Sequence, residues 1–135
     1  MDITWKYVKP LRSPGLIENF ETAMVYTFPD SFKACVKAHN GGRPSLEAFD
    51  TDQAKERAVK SLLSFNREDK DNIWEMSKWV KADLGKAYIP FAIDNFGNLI
   101  CFDGGNDRIV FWNHETGRIE SVARSFDEFL AALYD

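Results

Sequence analysis

The sequence predicts an α+β domain in which helices pack against a mainly antiparallel sheet. Three observations carry that reading. Residues 88–112, YIPFAIDNFGNLICFDGGNDRIVFW, hold three apolar runs separated by two turn-forming stretches, the pattern of an antiparallel meander. Asn72 with Glu75, and Ser125 with Glu128, have the spacing of helix-capping boxes ahead of apolar stripes. The predicted order is helix, helix, strand region, helix, strands, helix, which fits segregated helices on an antiparallel sheet.

The elements follow in order. Ile3, Trp5 and Tyr7 alternate in the first ten residues, as an edge strand or a packed tail would. Ser13-Pro14 reads as a helix N-cap and first helical residue. Leu16, Ile17, Phe20 and Met24 then share one helical face. Phe28-Pro29 interrupts, and Asp30 is expected to cap a second helix with Phe32, Cys35, Val36 and His39 inward. Asn40-Gly41-Gly42 ends it, since glycine takes the left-handed C′ conformation without strain. Residues 43–65 are ambiguous: Leu46, Ala48 and Phe49 suggest a strand, whereas Ala54, Ala58 and Leu62 align on a helix and residues 59–65 also read as a strand. NREDK at 66–70 is a charged loop. The helix after Asn72 buries Ile73, Met76, Trp79 and Val80, leaves Trp74 off its main face as the one exposed tryptophan, and stops at Gly85.

In the meander, Ile89, Phe91 and Ile93 alternate, while residues 99–102 and 109–112 are continuous apolar runs, as strands buried on both faces would be. Pro90 suits an edge or bulged position, and Gly97 a tight turn. Residues 118–122 form a fourth strand, and Ser125 opens a last helix with Phe126, Phe129, Leu130 and Leu133 on one face.

At 135 residues, 44% of them hydrophobic, the chain is expected to form a single domain over 1–135 with a real core. Its net charge of -4 argues against nucleic acid or anionic membrane as a main partner. Cys35 and Cys101 each sit in an apolar pattern and read as buried thiols. MDITWKYVKP has no apolar h-region, and no run approaches the ~20 residues of a spanning helix. A cytoplasmic protein is expected.

The chemistry is sparse. His39 and His114 stand alone, without HxxxH or CxxC spacing, and Asp50-Thr51-Asp52 lacks the rest of a calcium loop, so no metal or other cofactor is expected. Gly104-Gly105 opens no helix that would hold a phosphate. The enzyme alternative is a small hydrolase or ligand-binding enzyme using His114 and Glu115 with Asp94 or Asp103. The other candidate is the set of turn residues Asp94, Asn95, Asn98, Asp103, Asn106, Asp107 and Glu115, read as a surface for a basic partner.

The ordered set "IPFA-x-D-x-x-GN-x-ICFD", "FWNHE" and "SFDEFL", preceded by Phe28-Pro29-Asp30-Ser31-Phe32 and by His39-Asn40-Gly41-Gly42-Arg43-Pro44, resembles the SMI1/KNR4 family of the SUKH superfamily over roughly residues 16–133. The resemblance implies the SMI1/KNR4 (SUKH)-like α+β fold, with a strand near residues 59–65. It also implies a non-catalytic, protein-binding role. Short bacterial members are immunity proteins that bind and neutralise a cognate polymorphic toxin, often a nuclease, whereas fungal relatives are regulators of cell-wall synthesis. The resemblance does not locate the contact residues.

Overall fold

The computed structural model describes residues 2–85 and 87–135. Its centre is a five-stranded antiparallel sheet made of β5 (Ser61–Leu62), β6 (Tyr88–Ile93), β7 (Leu99–Asp103), β8 (Ile109–Trp112) and β9 (Ile119–Ala123), in that spatial order. Four of these strands are the expected meander. The alternation expected in β6 breaks at Phe91: Pro90 pairs with Cys101 and Ala92 with Ile100, so Phe91 is the extra residue of a bulge. Pro90 thus sits where the ladder is already interrupted.

The strand pairings define two faces. Ile100, Phe102, Ile109 and Phe111 lie on one; Leu99, Cys101, Val110 and Trp112 lie on the other. Both faces are buried. On the first, Phe102 lies 5.2 Å from Phe32 and 4.6 Å from Phe91 between ring centroids, and it also meets Tyr26, Phe28 and Phe126. Phe32 belongs to α2 (Asp30–His39) and Phe126 to α4 (Phe126–Ala132). The opposite face is covered by α3 (Ile73–Leu84), whose Trp79 meets Trp112 edge-on at 5.4 Å. Fully burying one such aromatic is worth about 1.5–3 kcal/mol, and edge-to-face contacts add to it.

Helix starts depart from the sequence reading in two places. α1 (Leu16–Met24) begins at Leu16, not at Pro14. Gly15, with φ +80°, reverses the chain after Ser13-Pro14, and its carbonyl accepts the first helical bond from Asn19 N–H at 2.8 Å. Asp30 is the first residue of α2, not its cap. Pro29 holds the cap position, and its carbonyl accepts from the N–H groups of Phe32 and Lys33. Asp30 still places a carboxylate at the positive end of the helix dipole. The other caps are as expected: Asn72 accepts from Glu75 N–H at 2.9 Å, and Ser125 accepts from Glu128 N–H at 3.1 Å. Neither is the full reciprocal box, because Glu75 turns to Lys78 and Glu128 bonds Arg124 N–H.

The exposed tryptophan is Trp79, not Trp74. Trp74 donates its indole N–H to the Phe65 carbonyl at 3.0 Å and packs edge-on against Phe20, under the Arg67 guanidinium. Trp79 lies at the margin of α3, and Ser77 takes the inward position.

Residues 43–65 contain no helix. They form β2 (Arg43–Pro44), β3 (Ala48–Phe49), β4 (Arg57–Ala58) and β5, each two residues long. β2 pairs with β1 (Trp5–Lys6), and β3 pairs with β4. Backbone donors at the end of this stretch go to other segments: Lys60 N–H to Ile93, Leu62 N–H to Gly42 and Leu63 N–H to Phe91. The strand expected near 59–65 is therefore only Ser61–Leu62. Asn40, which follows α2, is buried and holds three segments together. Its amide N–H₂ donates to the Lys9 carbonyl at 2.7 Å and to Ser64 Oγ at 3.0 Å, and its carbonyl accepts from Phe65 N–H at 2.9 Å. Gly41 takes φ +69° directly after it. A Cβ on Gly42 would lie 2.9 Å from the His39 carbonyl. The paired glycines are thus a steric requirement of this knot.

In β9 the inward residue is Glu120, opposite Phe111, while Ile119 is partly exposed. Arg57 lies over the Phe111 ring and grips Glu120 through two bonds of 2.8 Å, and Thr51 Oγ1 donates a third at 2.7 Å. Asp52 closes the outer edge of β9 through backbone and side-chain bonds with Ser121. Cys35 and Cys101 are free thiols; Cys101 is buried, but Cys35 only half-buried.

Two predictions follow from strain and charge. Val25, the C-cap of α1, is 88% exposed and holds φ +53°, a left-handed conformation costly for a β-branched residue. Val25→Gly is expected to raise stability by about 1 kcal/mol in urea unfolding. Burial raises the Glu120 pKa, but the bonds from Arg57 and Thr51 and the guanidinium charge outweigh it and hold the carboxyl below its usual value. The stability it contributes is complete above the unfolded pKa, ~4.3, and is lost as pH falls through the lower folded value. Arg57→Ala should cost roughly 3 kcal/mol at neutral pH and shallow the acid limb of stability against pH.

Candidate partner-binding surface

The turns of a meander alternate between its two ends. Residues 94–98 and 113–118 lie at one end of the sheet, and residues 103–108 at the other. The seven predicted turn residues are divided accordingly: Asp94, Asn95, Asn98 and Glu115 at the first end, Asp103, Asn106 and Asp107 at the second.

At the first end, Asp94 and Asn98 are buried and their polar atoms are committed. Asp94 Oδ1 accepts from the N–H groups of Phe96 and Asn98, both at 2.8 Å, and its Oδ2 accepts from Asn98 Nδ2 at 2.9 Å. Asn98 Oδ1 accepts from His114 N–H at 3.2 Å, which ties the two turns together. These two side chains build the end of the sheet. Asn95 and Glu115 stay exposed.

At the second end Asp103 and Asn106 close their own turn, and Asp107 reaches out of it. Asp103 Oδ1 accepts from Gly105 N–H, and Asn106 Oδ1 from Arg108 N–H. Asp107 takes φ +61° and accepts the Tyr26 hydroxyl at 2.5 Å. Burial, then the Asp107 carboxylate, push the Tyr26 hydroxyl far above its ordinary pKa, so the phenol stays protonated and pins the segment that follows α1 to this turn. Of the three, Asn106 is exposed and the two aspartates are half-buried.

His114 does not meet a carboxylate. Its Nε2 lies 3.0 Å from the Phe96 carbonyl, to which it donates in the tautomer carrying that proton. Its ring stands 5.2 Å from Trp79 and packs over Gly97, where a Cβ would approach within 3.4 Å. Gly97 has φ +84°, so both its conformation and its contact require glycine. The acid–base pair expected of an enzyme is not assembled. Asp94 is spent on its own turn, Asp103 sits at the opposite end, and His114 braces one turn against another.

What this bracing presents is aromatic. Phe96, at the tip of the 94–98 turn, is 78% exposed. The half-buried His114 meets the backbone of this turn and packs against Trp79, itself 36% exposed, and Asn95 and Glu115 are exposed on the two turns. A shallow groove of about 180 Å³ runs past Phe96 and Asn95 toward Lys55 and Glu56. Neither Phe96 nor Trp79 is singled out by the carboxylate-and-amide reading of the turns. The signal for Phe96 is in the sequence: a large apolar side chain between Asn95 and Gly97, at the one turn position with no strand face to bury it. Trp79 could not be found that way, because helical spacing places it with the core.

The structure defines an α+β module that displays an exposed aromatic side chain, Phe96, on a turn braced by Asp94, Asn98 and His114. The SMI1-KNR4 cell-wall family profile (SUKH_6) matches residues 14–130, and the chain belongs to that family. It is also similar to the SPbeta prophage-derived uncharacterized protein YokK of Bacillus subtilis (strain 168), with 41% identity over 51 residues. That match covers 35% of this chain and 27% of the relative's length. Among the described residues, no helix is long and apolar enough to cross a membrane.

The bonding at the 94–98 turn makes a contrast that can be measured. Asp94→Ala removes the acceptor of three bonds and should destabilise the protein by about 2 kcal/mol. Asn95→Ala, next to it but exposed, should stay within about 0.5 kcal/mol of the parent in the same urea titration.

Proposed function

We propose that this chain is a non-catalytic protein-binding domain acting as an immunity protein. In this reading it occupies the cytoplasm of a toxin-producing bacterium and neutralises a cognate polymorphic toxin, such as a nuclease with a basic domain, by covering its active site or an adjacent exosite. Membership of the SMI1-KNR4 family supports the reading.

The observation that carries it is the aromatic projection. Phe96 is held out of the core by a turn whose backbone is fixed through Asp94, Asn98 and His114. Aromatic anchors on a preorganised frame provide large contact area at small entropic cost, which is how a few residues dominate protein–protein affinity. Asn95 and Glu115 would accept hydrogen bonds from the partner at the rim. Asp103, Asn106 and Asp107 lie at the other end of the sheet and would join only a partner wide enough to reach around it.

The hydrolase reading loses ground on geometry, because its only candidate base faces a backbone carbonyl. The regulatory role of fungal relatives has no specific feature of this structure in its favour.

The test has two steps. Tagged protein is used to capture partners from the source cell, and the captured toxin is then expressed with and without this chain. The proposal predicts growth arrest by the toxin alone and rescue by the parent chain. Phe96→Ala should weaken the complex by about 2 kcal/mol, roughly thirtyfold, and reduce rescue, with thermal unfolding unchanged. Full-strength capture by Phe96→Ala and Trp79→Ala would move the contact away from this end. Failure to rescue from any captured protein would contradict immunity itself.

A further inference from the structure

A second site lies at the other margin of the sheet, where the N-terminal arm crosses β5. It is a cavity of about 260 Å³ whose charged lining is Lys9, Arg43, Lys60, Lys70 and Asp71, with the Tyr7 ring at its lip. Four lining cations face one lining carboxylate, and with Glu47, the partner of Arg43, counted as well a local excess of two positive charges remains, in a chain whose net charge is -4. The cations come from separate segments: Lys9 from the arm after β1, Arg43 from β2, Lys60 from just before β5, and Lys70 from the 66–70 loop. They approach one volume from several sides. The remaining polar lining is Ser61 and Ser64, beside the backbone of Gly41.

The charges are unevenly committed. Arg43 shares its charge with Glu47 at 3.1 Å, and Lys60 with Asp71 at 3.2 Å. Among the described residues, Lys9 and Lys70 make no ion pair within 4.0 Å, and both are exposed. Like charges gathered around a small volume repel one another, and the stability of this arrangement would rise if an anion entered. Part of the backbone strain lies in the same place. Tyr7 (φ +57°) and Asp71 (φ +55°), both non-glycine residues in the left-handed region, line this cavity together with Gly41 (φ +69°). Such conformations persist where the surroundings impose them, and they gather at ligand sites. Tyr7 is also 72% exposed, so its ring is free to cover whatever the cations hold.

We infer that this cavity binds a phosphate monoester group. The volume admits a tetrahedral dianion and a small part of the molecule that carries it, the converging lysines and Arg43 match a charge near −2, and the Ser61 hydroxyl can donate to a remaining oxygen, whereas the Ser64 proton is given to Asp69. Tyr7 would stack on a planar ring attached to that phosphate. The site is independent of the aromatic projection and of its partner.

The test is an amide NMR titration of the whole chain at constant ionic strength, with inorganic phosphate, a 5′-mononucleotide and the matching nucleoside. The inference predicts saturable shifts at Gly41, Ser61, Ser64 and Asp71 with the first two and none with the nucleoside. Tighter binding of the mononucleotide than of inorganic phosphate would assign the ring contact to Tyr7, and Tyr7→Ala should abolish that difference. Equal binding would limit the site to the phosphate group. The Lys9→Gln/Lys70→Gln double variant should keep its amide spectrum and unfolding midpoint yet bind phosphate about tenfold more weakly, while Lys55→Gln, in the distant 50–56 loop, should bind as the parent does. Shifts scattered over all surface lysines, or localised shifts that the double variant leaves at full affinity, would overturn the inference, as would the absence of any shift.

Discussion

The three central strands of the meander are apolar on both faces, and the rest of the structure answers that constraint. A sheet with one wet face would need polar residues at every second position; Leu99, Ile100, Cys101 and Phe102 offer none. Two covers are therefore required. α2 and α4 supply one, through Phe32, Phe126 and Phe129 against Phe91 and Phe102. α3 supplies the other, through Val80 and Trp79 against the side bearing Trp112. The bulge at Phe91 adds one further aromatic to the first of these layers without breaking the strand.

The N-terminal half serves this sheet differently. Its strands are two residues long and would not stand alone. They close the sheet's margins and are themselves held by side-chain knots. Asn40 ties the arm and the 64–65 segment to the end of α2, and the Arg57–Glu120 pair ties β4 to β9. Both knots are polar groups inside or beside the core, fully bonded, so each is costly to leave half-made.

This division explains what could be read from the sequence. The meander, the four-strand count, the caps at Asn72 and Ser125 and the left-handed Gly41 were legible, because apolar runs and turn chemistry act locally. Residues 43–65 were not, because their strands are two residues long and part of their backbone bonds go to Gly42, Phe91 and Ile93, partners that no local pattern names. Gly15 displaced the start of α1 for a similar reason: Ser13-Pro14 is a sound capping signal, but the glycine after it turns the chain first. Glu120 ran against the alternation of β9 because Arg57, distant in sequence, neutralises it. The turn residues were legible as turn residues only. Composition grouped Asp94 with Asp103, whereas the alternation of a meander sends them to opposite ends. Burial then separated Asp94 and Asn98, which build the end of the sheet, from Asn95, Phe96 and Glu115, which are displayed on it.

Display is what connects the fold to a role. The sheet fixes where β6 ends and β8 ends; Asp94, Asn98 and His114 lock the two turns there; Phe96 is left in solvent. The proposed binding role needs no more chemistry than this. Native-state hydrogen exchange of the chain, alone and in complex with its captured partner, tests the account most directly. The account predicts new protection at residues 94–98 and 113–118 and at the exposed margin of α3, with the central strands equally protected in both states. Protection confined to the 103–108 end, with the Phe96 turn exchanging as in the free protein, would contradict it.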